Sequence, residues 1–308
     1  MTTALITHPD CLTHVTPHGH PEQVARLRSV LDAFEGLSLE QVMAPMAQDE
    51  DIHLLHPQGY VNEIKTNIPK HGNVQMDDDT FVSPGSLNAA YRAVGAVLRG
   101  VDMVLADVVQ NAFCATRPPG HHAEYAKTMG FCLFGTVALA AKHAMERHDL
   151  KRVAIVDFDV HHGNGTQDLL EEESRALLIT SQQMPLWPGS GDPRETGRYN
   201  NVLNVALPPE SDGAVMRERY IKDVFPRLAD FDPELILISA GFDAHRDDPL
   251  AQLKWDEDDF AWLTQEICAL AAAHCSGRVV STLEGGYHLE ALASCARTHV
   301  EELIKAGQ

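Results

Sequence analysis

Four apolar, β-branched runs in this sequence each end in residues able to do chemistry. The run over 153–158 passes into DFDVHHGNG, residues 157–165. Side chains at i and i+2 point to the same side of a strand, so Asp157, Asp159 and His161 can converge, and the glycines that follow let the backbone turn tightly. Two aspartates buried at a strand end are costly unless a cation compensates them. The run over 235–240 delivers a further carboxylate, Asp243, and the run over 278–283 ends in Glu284-Gly285-Gly286-Tyr287, which sets a phenol on a bare backbone. A fourth run leads through Arg117-Pro118-Pro119-Gly120 into the tandem His121-His122. Asp159, His161 and Asp243 make a three-ligand set with an open position, the arrangement of a catalytic metal site. Two carboxylates and one imidazole are acceptable to Zn²⁺ and also to Fe²⁺. Taken alone, the His121-His122 pair reads more simply as a surface or structural feature, whereas the 157–165 segment already reads as more than a hydrogen-bonded turn; their joint occurrence points to a site.

Such residues must be positioned by strands. Apolar runs recur at 4–7, 112–116, 153–158, 176–181, 202–207, 235–240 and 278–283, several of them continuous, as expected of strands covered on both faces. Helical spacing appears at 86–98, 136–147, 215–228 and 258–274, the last opening on acidic residues that suit a helix N-terminus. Alternating strands and helices predict an α/β fold with a mainly parallel, doubly wound central sheet. Chemistry in such sheets collects beyond the carboxyl ends of the strands. No repeat or linker interrupts the chain, so residues 1–308 are expected to form a single domain.

An apolar share of 44% and a charged share of 22% are those of a soluble globular protein. A net charge of −20 argues against nucleic acid as a partner, since phosphate binding wants a basic surface. No apolar run is long enough to span a bilayer and the N-terminus does not read as a signal peptide, so neither membrane nor export is expected. Six scattered cysteines without a C-x-x-C pair suit a reduced, cytoplasmic protein. His14, His53, His56, His143, His148 and His274 are isolated and carry no expected duty. Oligomeric state is not legible, which leaves a homo-oligomer open.

The segments RPPGHH, GFCLF, DFDVHHGNGTQ, PGSGD, SAGFDAH..DPL and LEGGY resemble, in the same order, the histone deacetylase family, including its bacterial amidohydrolase and acetylpolyamine amidohydrolase members. His20-Pro21-Glu22 with Arg26-Leu27, and Asn164, look like the class II branch. The resemblance implies an arginase-like three-layer α/β/α domain and zinc held by Asp159, His161 and Asp243. It makes His122 the general base and then acid, and His121 its electrostatic partner. Asp157 would pair with His121, Asn164 with His122, and Tyr287 would donate to the substrate carbonyl. It also implies a structural K⁺ near the Asp157 carboxylate, Ser181 and the carbonyls of Asp159, His161 and Gln182. Gly130, Phe131, Trp187 and Leu250 match the family's substrate channel. The implied reaction is hydrolysis of an acyl-lysine peptide or a small acylated amine.

Related arginases hold two Mn²⁺ ions, but two of their bridging aspartates are here Gly163 and His245, so a binuclear enzyme is not expected. Polyamine-deacetylating relatives carry Glu where this chain has Leu250, which favours acyl-lysine. Trp187 replaces the usual Phe or Tyr, and Gly135-Thr136 replaces Asn-Asn. A non-catalytic acyl-binding protein of the same fold would be expected to lack a ligand, the tandem histidines or the tyrosine, and here all are present.

Overall fold

The seven predicted runs all form strands, and an eighth joins them. In the computed structural model, which describes residues 2–308, the strands are β1 (Thr3–Thr7), β2 (Leu39–Met43), β3 (Val74–Gln75), β4 (Phe81–Val82), β5 (Asn111–Cys114), β6 (Val153–Asp157), β7 (Ala176–Gln183), β8 (Val202–Leu207), β9 (Leu235–Ala240) and β10 (Val279–Leu283). Eight of them make one sheet in the order β2-β1-β5-β10-β9-β6-β7-β8, and every pairing in it is parallel. The short β3 and β4 pair antiparallel on their own. The helices are α1 (Val24–Ala33), α2 (Asp49–Ile52), α3 (Gln58–Asn67), α4 (Ser86–Leu105), α5 (Thr136–Arg147), α6 (Asn164–Leu170), α7 (Gly213–Arg219), α8 (Phe225–Phe231), α9 (Glu257–His274) and α10 (Leu289–Ala306).

Two apolar layers sandwich the sheet, and the alternation of strand side chains divides between them. Val153, Ile155, Leu178 and Leu237 pack with α3, α4 and α5, through residues such as Ile64, Val97 and Leu139. Ala154, Val156, Ile179 and Ile238 face the other way, toward Leu27 of α1, Met216, Leu228, Leu263 and Val300. Both faces of the central strands are thus dry, which is why their sequences are continuously apolar. This is the three-layer α/β/α arrangement expected.

Two readings need adjustment. The helix predicted over 215–228 is three pieces, α7, a π-helical turn at Tyr220–Val224, and α8. Pro226 lacks an N–H and its ring crowds the carbonyl four residues back, so the ladder widens there instead of continuing. The isolated histidines are not all idle. His14 is buried, with Nδ1 2.7 Å from Ser86 Oγ, and His56 Nε2 accepts from the Gly135 N–H at 2.9 Å. Gly135 and Thr136 therefore start α5 from a braced turn, and Thr136 packs on Gly120, where an added Cβ would meet its Oγ1.

Among the described residues no helix is long and apolar enough to cross a membrane.

Candidate active site and metal centre

β5, β10, β9 and β6 are consecutive neighbours at the middle of the sheet, and the four polar strand ends are theirs. Segments far apart in sequence therefore converge on one point beyond the carboxyl edge. All the predicted ligands meet there: the ligand atoms of Asp159, His161 and Asp243 lie within 4.8 Å of one another, in a buried position. His161 Nδ1 is 3.2 Å from Asp159 Oδ1 and 3.1 Å from Asp243 Oδ2. The remaining carboxylate oxygens are anchored by backbone, Asp243 Oδ1 accepting from the Val160 N–H at 2.9 Å and Asp159 Oδ2 from the Gly285 N–H at 2.8 Å. Gly241 and Gly285 permit this: a Cβ on Gly241 would lie 2.1 Å from Asp159 Oδ2, and one on Gly285 2.2 Å from Asp243 Oδ2.

The donor set fits a cation. Burial, reinforced by the Asp159 charge, pushes the Asp243 carboxyl up to about 7. Burial alone would lower His161, yet its contacts with Asp159 and Asp243 raise it to about 10. The protein thus supplies two buried carboxylates and no fixed positive side chain between them, and the positive charge they favour is drawn onto His161.

The tandem histidines stand beside this cluster with unlike surroundings. His121 Nδ1 is 3.0 Å from Asp157 Oδ2, and its Nε2 is 3.7 Å from Asp159 Oδ2. Against the opposing effect of burial, Asp159 and Asp157 hold its pKa well above the usual range. His122 is driven the other way, well below it, by burial and by the charges of His121 and His161. Its Nδ1 lies 2.7 Å from Asn164 Oδ1, and Asn164 Nδ2 donates to Glu124 Oε1 at 2.8 Å. Because a carboxylate only accepts, Glu124 sets which way the Asn164 amide faces. Asn164 Oδ1 then accepts from Nδ1–H of His122 and leaves Nε2 as the basic nitrogen. Exchanging Glu124 for Gln, which can also donate, should release that orientation and lower kcat about 10-fold with KM little changed. Steady-state kinetics of Glu124→Gln would check this, and an unchanged kcat would remove Glu124 from the chain of contacts.

Above the cluster opens a cavity of about 220 Å³ lined by Asp79, His122, Gly130, Phe131, His161, Leu186, Trp187, Leu250 and Tyr287. All four predicted channel residues are among them. Gly130 (φ 55°) and Phe131 (φ 70°) both adopt left-handed backbone, and a Cβ on Gly130 would strike the His122 ring. Trp187 stands edge-on to His122 with centroids 4.8 Å apart, and Phe131 edge-on to Tyr287 at 5.8 Å. The Tyr287 ring also lies under the Arg26 guanidinium, 4.9 Å away, while its N–H donates to Asp248 at 2.7 Å. Burial raises its hydroxyl well above the usual phenol range, so it stays a donor.

The predicted potassium residues lie at the end of β6 and on the neighbouring β7. Asp157 pairs with Thr180 in the ladder, so Ser181 and Gln182 follow immediately on the adjacent strand. Ser181 Oγ is 2.7 Å from the Tyr220 hydroxyl, and Gln182 Nε2 donates to the Gly191 carbonyl at 2.8 Å.

Sequence reasoning missed several supporting groups. Glu284 Oε2 accepts from the N–H of Gly120 at 2.7 Å and of His121 at 3.2 Å, tying the histidine turn to β10, and burial pushes its pKa to about 7. Its place at the end of an apolar run, before Gly-Gly, was the available signal. Glu22 forms a fully buried ion-pair group with Arg26 and Arg117, and Arg26 donates onward to the carbonyls of Glu284 and Gly286. Asp79 and Leu186 line the cavity without any periodicity or motif to mark them.

Residues 20–303 match the histone deacetylase domain. A histone deacetylase-like amidohydrolase from Pseudomonas aeruginosa is 36% identical over 92% of this chain and 76% of its own length. The human polyamine deacetylase HDAC10 is 36% identical over 99% of this chain and 48% of its own length. The chain spans less than half of the longer relatives that it matches. The crystal structure of the HDA15 HD domain superposes with a TM-score of 0.92 at 28% identity, over 99% of this chain and 88% of that one. The domain match, the shared architecture and the strand ends of β5, β6, β9 and β10 agree: the chain belongs to the histone deacetylase family.

Proposed function

We propose that this protein is a zinc-dependent deacylase that hydrolyses the amide of N-acyl-lysine-like substrates. The observation that carries the reading is a three-ligand cluster, Asp159, His161 and Asp243, at the foot of a largely apolar channel that also presents His122 and Tyr287. Bound by those three residues, zinc supplies Lewis acidity toward the amide carbonyl and lowers the pKa of water at the site toward about 7. His122, neutral at neutral pH because burial and its cationic neighbours disfavour a second charge, takes a proton at Nε2 and returns it to the leaving amine. His121 holds its own proton against Asp157 and keeps His122 basic only in the uncharged form. The Tyr287 hydroxyl donates to the carbonyl oxygen as it gains charge. Phe131 and Trp187 sheathe an alkyl chain. Asp157, Ser181 and Gln182, at the end of β6 and on β7, would hold a structural K⁺. The six cysteines, all free and buried, support a reducing, cytoplasmic setting.

A second reading, an acetylpolyamine amidohydrolase, draws on one observation: Asp79 lines the channel and offers a carboxylate to a second cationic nitrogen. The relative named as a polyamine deacetylase adds to it. Leu250, at 37% exposure on the channel wall, opposes it by presenting an apolar side chain. Comparing kcat/KM for acetyl-lysine peptides with acetylputrescine and acetylspermidine, with and without chelator, decides between the two. Faster turnover of peptides is expected, lost on chelation; absence of turnover of any of them would favour an acyl-binding protein without catalysis. Leu250→Glu should move the ratio toward the polyamines by at least about 10-fold, the size of one charge contact of ~1.4 kcal/mol. An unmoved ratio would show that Leu250 does not set selectivity.

A further inference from the structure

A second group of metal-ligating side chains lies at the other end of the sheet. Asp102 is in the last turn of α4, His143 near the end of α5, and His148 just past it. Both helices finish where β5 and β6 begin, so the group sits by the amino edge of the strands, opposite the channel. Both imidazole Nε2 atoms approach the same carboxylate oxygen, Asp102 Oδ1, at 2.8 Å from His143 and 2.7 Å from His148. The rings are 5.4 Å apart, inclined at 67°, and the three ligand atoms lie within 4.8 Å of one another.

From this convergence we infer that Asp102, His143 and His148 form a second, surface site for a borderline divalent cation, with zinc its natural occupant. The arrangement mirrors the catalytic cluster, where one imidazole nitrogen lies between two carboxylate oxygens; here one carboxylate oxygen lies between two imidazoles. Two imidazoles and a carboxylate favour zinc, nickel or copper over magnesium or calcium. The ligands are preorganised. The His148 N–H caps the Ala144 carbonyl and the Ala106 N–H the Asp102 carbonyl, while Val97, Val101 and Val104 of α4 share the core layer with Val137, Ala141 and Ala144 of α5. Without a cation both Nε2 atoms carry a proton and donate to Asp102 Oδ1, which only accepts; among the described residues His143 Nδ1 has no hydrogen-bond partner, so the proton can move there when Nε2 takes up a cation. A cavity of about 250 Å³ lined by Asp51, Arg99, Asp102 and His143 opens beside the group and gives water access to the remaining coordination positions. A net charge of −20 adds a general attraction for cations. Occupancy would pin the ends of α4 and α5 together.

The test is a zinc count. The purified full chain is equilibrated in a zinc buffer and its bound metal measured by mass spectrometry and calorimetry, for wild type, His148→Ala, Asp243→Ala and the double variant. Two ions per wild-type chain are expected, one in each single variant and none in the double, with the His148→Ala change weakening the second ion at least 10-fold. His148 is on the surface, so its removal should leave the fold and the turnover of acylated substrates unchanged. Identical stoichiometry and affinity with and without His148, in either background, would overturn the site. Loss of zinc at Asp243 and loss at His148 are read separately, so this result does not depend on the catalytic proposal.

Discussion

Asp243→Ala protein is expected to retain one zinc fewer per chain than wild type and to lose deacylase turnover by about 1,000-fold or more. A bound cation contributes several kcal/mol to stabilising charge at the reacting carbonyl, and each 1.4 kcal/mol is tenfold in rate. Asp243 has two duties, which two substitutions separate. Its Oδ2 faces His161, while its Oδ1 accepts from the Val160 N–H. Asparagine preserves an acceptor for that N–H but removes the charge; alanine removes both and leaves a buried donor unpaired, at about 1–3 kcal/mol. Both variants should lose the ion, but only Asp243→Ala should unfold at lower temperature than chelator-treated wild type. Asparagine should be neutral or mildly stabilising in chelator, because burial and the neighbouring Asp159 already disfavour the Asp243 charge. Wild-type zinc content in either variant would refute the ligand set.

Tyr287→Phe should cut kcat by about 100- to 1,000-fold while KM and zinc content hold. The substitution keeps the ring, and with it the edge contact to Phe131 and the stacking under Arg26. The backbone N–H bond to Asp248 also survives. What is lost is one hydroxyl donor that acts only as negative charge grows on the oxygen, so the loss belongs in kcat rather than in substrate binding. Near-full turnover would mean that the oxyanion is stabilised elsewhere. A large rise in KM would mean instead that the hydroxyl holds the ground-state substrate.

How much of this was legible in the sequence depends on the kind of signal each residue carries. The central strands were plain because burial on both faces writes continuous apolar runs. β2 was not, because an edge strand half open to solvent reads LEQVM, with Glu40, Gln41 and Met43 exposed. The metal and histidine cluster was legible because carboxylates and imidazoles at strand ends break an apolar pattern at fixed spacing. The groups that hold that cluster in place were harder to see. Glu124 orients Asn164 from forty residues away, and Glu22 meets Arg117 from ninety-five residues away. Such pairs exist only once the sheet is folded, so no local periodicity announces them. His56 shows the same effect from the other side: an ordinary histidine in sequence becomes a buried brace because α5 happens to begin beside it.

The strand order has a further consequence, for when the site can exist during synthesis. β10 is the last strand of the sheet to be made, yet it lies between β5 and β9, which touch each other only through it. A nascent chain that ends before Val279 can pair β2-β1-β5 as one ribbon and β9-β6-β7-β8 as another, with no strand between them and chiefly the packing of α4 on α5 to hold them together. His121 and His122 ride on the first ribbon and Asp159, His161 and Asp243 on the second. The ion's ligands can therefore assemble before the base that works beside them is fixed in place. Closure waits for the strand that also carries Glu284 and Tyr287, so the oxyanion donor and the tie to the histidine turn arrive in a single step. A ribosome-stalled chain lacking β10 should capture zinc before it can turn over any substrate.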